Sequence, residues 1–86
     1  MEIMHVEIAG SHYTKTVRLS VQNKMLQCDY EIGTQDGRLT FNPDLNSNDE
    51  ISSVIFERME GRPPELGEDT HMLATIKFLF ERDNQS

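Results

Sequence analysis

The sequence predicts an α+β fold: a four-stranded antiparallel sheet made of two consecutive hairpins, with one face covered by one or two C-terminal helices. Three observations lead there. Apolar residues fall on alternate positions from Tyr13 to Ile32, the pattern of strands with one dry and one wet face. A Gly-Thr-Gln-Asp-Gly run at 33–37 follows, and Asp-Gly between alternating segments is a strong hairpin signal. Beyond Pro43 the apolar spacing changes to that of a helix.

Met4, Val6 and Ile8 alternate with His5 and Glu7 and read as the first strand. Ala9-Gly10-Ser11-His12 then suits a turn, because Gly10 is free to take positive φ. In the second strand Tyr13, Val17, Leu19 and Val21 share one side, and Thr14, Thr16, Arg18, Ser20 and Gln22 share the other. Lys15 belongs to the apolar row, but near the strand end its stem can cover apolar surface while the ammonium reaches water. Asn23 tolerates the left-handed backbone of a tight turn, so Gln22-Asn23-Lys24 links this strand to a third carrying Leu26, Cys28, Tyr30 and Ile32 inward. A turn over 33–37 returns the chain as a short fourth strand, Arg38–Asn42, with Leu39 and Phe41 inward. Pro43 lacks the amide hydrogen a ladder needs and ends it.

Ser47 and Glu50 stand at the spacing of a capping box, where hydroxyl and carboxylate each satisfy a backbone amide of the first helical turn. Ile51, Val54, Ile55 and Met59, widened by Phe56, form the apolar stripe of the helix that follows. Gly61 and Pro63-Pro64 stop it, and 61–69 is a polar loop. In 70–83, Met72, Leu73, Ile76, Leu79 and Phe80 share a helical stripe that Asp69 or Thr70 can cap, and only Phe78 is misplaced. Met72, Ala74, Ile76, Phe78 and Phe80 also alternate, so a fifth strand is the alternative. Helix propensity favours the helix.

With 86 residues the chain fits one small domain spanning 1–86, able to build a modest core without metal or disulfide. Its 36% apolar content is low, but periodic enough for a folded chain. One cysteine makes no internal disulfide, and its place on an apolar strand face predicts a buried thiol of raised pKa in a reducing compartment. No run approaches the ~18 apolar residues of a membrane span, and no basic-then-apolar leader opens the chain. A cytoplasmic location without membrane contact is the expectation.

The net charge of −7 is concentrated. Residues 29–69 hold eleven acids against Arg38, Arg58 and Arg62, while 1–28 and 70–86 are close to neutral. That distribution argues against direct nucleic-acid binding, which needs clustered Lys and Arg, and favours a protein partner with a basic surface.

No catalytic or cofactor motif emerges. Asp44, Asn46 and Asn48 have the opening spacing of a calcium loop, but Asp49 stands where its glycine belongs and Ile55 where its bidentate glutamate belongs. His5, His12 and His71 are scattered, without the spacing of paired ligands to each other or to Cys28. The candidate binding residues are the acids Asp49, Glu50, Glu57, Glu60, Glu65, Glu68 and Asp69. Asp49 and Glu50 have a structural reason to be there, since anions stabilise a helix N-terminus; Glu57 and Glu60 lie near the other end, where the dipole opposes them. The solvated sheet face is a second candidate surface, open to a partner or to a second copy through its face or its edge. These features predict a non-catalytic adaptor or inhibitor acting by protein–protein interaction, with no cofactor or metal. A nucleic-acid mimic directed at a DNA- or RNA-binding protein is the alternative, and a small metal- or thiol-dependent enzyme a lesser one.

Overall fold

The computed structural model describes Met4–Ala9 and residues 15–85, with side chains from 15 to 84. Strands β2 (Lys15–Gln22), β3 (Met25–Ile32) and β4 (Gln35–Phe41) form an antiparallel meander, and β1 (Met4–Ala9) lies along β2, giving the order β1-β2-β3-β4. Helices α1 (Asn48–Glu60) and α2 (Thr70–Gln85) follow. The α+β class, the antiparallel sheet and the helical C-terminus are as the sequence predicts; no strand forms over 70–83. Tyr13, Thr14 and the turn expected at 9–12 lie outside the described residues, apart from Ala9 at the end of β1.

Register explains the two faces. Leu19, Cys28 and Leu39 make one inner row, and Val21, Leu26 and Phe41 another. These side chains meet Ile51, Ile55 and Met59 of α1 and Met72, Ile76 and Leu79 of α2 in one core. Burying each large aliphatic side chain contributes roughly 1.5–3 kcal/mol, and Leu19, Leu26, Ile51, Ile55, Ile76 and Leu79 are all fully buried. Lys15 is half-buried opposite Ile32, as its place at the strand end predicts.

The β2–β3 turn is tighter than a single Asn would require. Asn23 and Lys24 both take positive φ, 54° and 64°, the twist that matches paired strands. The second hairpin departs from expectation. Its turn is Gly33-Thr34, with Gly33 at φ 62°, and Asp36 and Gly37 lie within β4 opposite Glu31 and Tyr30. Core pairing outweighs the local Asp-Gly preference. A turn at Asp36-Gly37 would pair Phe41 with Ile32 and leave Leu26 and Cys28 without apolar neighbours on the fourth strand. Gly37 serves a different purpose: a Cβ there would stand 2.5 Å from the Tyr30 hydroxyl, so the missing side chain makes room for the ring.

Helix α1 has the expected capping box, with the Glu50 amide donating to Ser47 Oγ at 3.2 Å and the Ser47 amide donating to Glu50 Oε1 at 3.1 Å. It ends at Gly61, whose left-handed backbone lets its amide donate to the Glu57 carbonyl at 2.8 Å. The buried stripe is rotated from the predicted one: Ser52 is fully buried with Ile51, Ile55 and Met59, and Val54 is exposed. Packing against the start of α2 draws the Ser52 side of α1 inward and turns Val54 out. Phe78 of α2 is half-exposed, consistent with its place off the helical stripe.

Candidate functional site

The connection between the helices is short, polar and heavily braced. Arg62, just past the end of α1, donates from two guanidinium nitrogens to the Glu68 carboxylate at 2.7 and 2.8 Å. A planar fork on a carboxylate is the most orienting ion pair available to proteins. Arg62 also donates to the Pro63 carbonyl at 3.3 Å and lies over the Phe56 ring, 5.5 Å from its centroid. Glu68 Oε1 accepts the Glu65 amide at 2.7 Å, closing the turn from the other side. The Arg62 fork and the Glu65 amide together pull the Glu68 carboxyl down to about 2, and the same pairing raises the Arg62 guanidinium further.

Asp69 fastens the far end. Ser52 Oγ, fully buried, donates to Asp69 Oδ2 at 2.7 Å, so that a hydroxyl on α1 meets a carboxylate at the entrance of α2. Thr70 Oγ1 donates back to the Gly67 carbonyl at 2.8 Å, and the Leu73 amide donates to the Asp69 carbonyl at 2.9 Å, starting the helix. Leu66 sits in the middle of this bracing and is wholly exposed.

The predicted acids therefore divide. Glu50 is occupied in the capping box, Glu68 in the Arg62 fork and Asp69 with Ser52. Asp49, Glu57 and Glu65 are exposed, and Glu60 is half-buried. Glu60 and Glu65 both act electrostatically on Arg62, so the structure gathers Glu60, Glu65 and Glu68 around one arginine. Arg62 stands among these acids because its stacking on Phe56 folds it back over α1. Arg58 goes the other way, onto Tyr30 of β3 at 5.2 Å from the ring centroid. Sequence reasoning missed Ser52 and Leu66. A serine inside a helix between Ile51 and Ile55 and an apolar residue in a polar loop were the available signals.

The open sheet face carries three polar rows by register: Ser20, Gln27 and Thr40; Arg18, Asp29 and Arg38; Thr16, Glu31 and Asp36. Arg38 Nε donates to Asp29 Oδ1 at 2.7 Å, and both side chains remain well solvated. A shallow recess of about 200 Å³ lies among Thr16, Arg18, Asp29, Glu31 and Asp36, next to Gly37. A larger cleft, about 610 Å³, sits at the β2–β3 hairpin end around Phe80, edged by Lys24, Asn42, Asp44 and Asn84.

Cys28 is buried as expected, and desolvation, reinforced by the Asp29 carboxylate and opposed by Arg58, pushes its thiol up to about 12. It is held as the neutral thiol at neutral pH, the unreactive form. His71 is exposed; His5 and His12 lie where no side chain is described. No group of three or more metal-ligating side chains comes together among the described residues. No helix among the described residues is long and apolar enough to cross a membrane. Comparison with protein-family models, with curated proteins and with solved structures finds no match to this chain.

Proposed function

We propose that this is a non-catalytic interaction protein, an adaptor or inhibitor acting in the cytoplasm on a partner protein whose surface is basic. One observation carries the reading: a braced connection holds Leu66 fully exposed between Glu65 and Glu68. An isolated exposed leucine on a mobile loop would be unremarkable, but here the bracing lowers the ordering cost of docking it. A leucine anchor with a charged rim is a common division of labour at interfaces, the apolar residue supplying affinity and the charges supplying steering. Glu57 and Glu60 on α1 extend the same sign of charge. Arg62 among the acids interrupts the continuous negative array that a nucleic-acid mimic would present, which favours the protein-docking reading over that alternative.

The test is capture of the partner from the native host by the immobilised chain, run beside Leu66→Ser. Loss of the specifically retained protein in the variant, with the variant still folded by circular dichroism, supports docking through this connection. Equal retention by both proteins contradicts it. A partner released steeply between low and physiological salt, whether or not Leu66 is present, moves the reading to the nucleic-acid mimic.

A further inference from the structure

We propose that the open face of the sheet is a self-association surface, on which two copies pack face to face about a two-fold axis running parallel to the strands between β2 and β3. The charge pattern leads to this axis. In the central row the charges of β2, β3 and β4 alternate as Arg18, Asp29 and Arg38, and β1 sets Glu7 at the next register position. Rotation about an axis between β2 and β3 exchanges those two strands. Arg18 of one copy then meets Asp29 of the second, and the Arg38 position meets the Glu7 position.

The neighbouring rows agree with it. The same rotation sets Ser20 against Gln27 and Thr16 against Glu31, because each cross-strand pair becomes a pair across the interface. Between β2 and β3 donor meets acceptor in all three rows, and no like charges meet. The other face-to-face two-fold, perpendicular to the strands through the central row, sets Arg18 on Arg18, Asp29 on Asp29 and Arg38 on Arg38. Like-charge juxtaposition of that kind costs several kcal/mol. The ladder thus favours the second copy in one orientation and rejects it in the other. A symmetric surface that is complementary to itself is what an isologous dimer needs, and aligned packing of two sheets is a standard arrangement.

Area sets the strength. Four strands about 4.8 Å apart and about 20 Å long present roughly 400 Å² per copy, so roughly 800 Å² is covered in all. That lies below the standard size of stable interfaces, and the expected dimer is weak, micromolar or looser. The existing Arg38–Asp29 pair is retained within each copy, so the ladder meets its counterpart already ordered.

Sedimentation velocity on the full chain decides the matter, over a range from about 10 μM to several hundred μM. The expected result is passage from the 9.9 kDa monomer towards a species of about twice that mass, with a dissociation constant that rises with added salt. Asp29→Lys sets a base against Arg18 of the second copy and should weaken the dimer at least tenfold. Ser20→Lys, on the solvated side of β2 opposite Gln27, should do the same with little effect on the monomer. It alone decides if the Asp29 variant fails to fold. Glu57→Gln, on α1, should leave association unchanged. A chain that stays monomeric throughout overturns the proposal. So does a dimer that tolerates the folded sheet variants, since such a dimer forms elsewhere, for example along the β4 edge.

Discussion

The open sheet face and the connection between the helices are both polar and both exposed, yet their charges follow opposite rules. Along the central row of the sheet the signs alternate, Arg18 then Asp29 then Arg38. At the connection one arginine stands among Glu60, Glu65 and Glu68. Alternating charges cancel beyond a Debye length, about 8 Å at physiological salt, so that row acts only on what touches it. The acidic segment keeps a net field that reaches further and can draw in a basic surface. The first arrangement suits recognition of an identical copy, the second recognition of something different.

The sharpest break in the comparison is between the two faces of one strand. Leu19→Asp places a charge at a fully buried position among Cys28, Ile55 and Leu79 and should abolish folding, a loss of several kcal/mol. Ser20→Asp, on the open side, should change stability by less than about 1 kcal/mol. Equal denaturant midpoints for the two would mean that the faces of β2 have been assigned wrongly.

A smaller effect separates the acids that build the connection from those that only face solvent. Asp69→Ala removes the acceptor of the buried Ser52 hydroxyl and should cost about 1–3 kcal/mol. Glu57→Gln should leave stability unchanged or slightly raised, because Glu57 opposes the dipole of α1 from its C-terminal end. Chemical denaturation of the two variants checks the contrast directly.

How far the sequence carried depended on how local the controlling interaction was. The capping box of Ser47 and Glu50 was legible because both partners lie within one helical turn. The alternation of β2 and β3 was legible because burial repeats every second residue. The second turn was misread because Asp36-Gly37 is a strong local signal, while the pairing of Leu39 with Cys28 and Phe41 with Leu26 is a property of the assembled sheet. Ser52 and Asp69, seventeen residues apart, form a contact that no local pattern announces. The same holds for the candidate surface. Its acidity was plain from composition, but which acids are occupied depends on where Arg62 lands, and Phe56 decides that in three dimensions.

Another small stability effect comes from pH. The Glu68 carboxyl is held near 2 in the folded chain, against about 4.5 for the free group, so the unfolded chain takes up the proton first. The fork contributes its full stabilisation above about 4.5 and loses it as pH falls from there towards 2. Because the pair is solvated, the effect is small. It should show as a difference in acid sensitivity between wild type and Glu68→Gln confined to that window, read from thermal midpoints.

The most direct test of the functional account is the association rate of the captured partner with three proteins: wild type, Glu57→Gln with Glu60→Gln, and Thr40→Ala on the open sheet face. The glutamate pair should slow association several-fold at low salt, the difference should shrink as salt rises, and Thr40→Ala should change nothing. A partner that binds the glutamate variant as fast as wild type but loses affinity for Thr40→Ala would contradict it. The sheet would then be the surface that meets the partner, and the acidity of the helices would serve solubility alone.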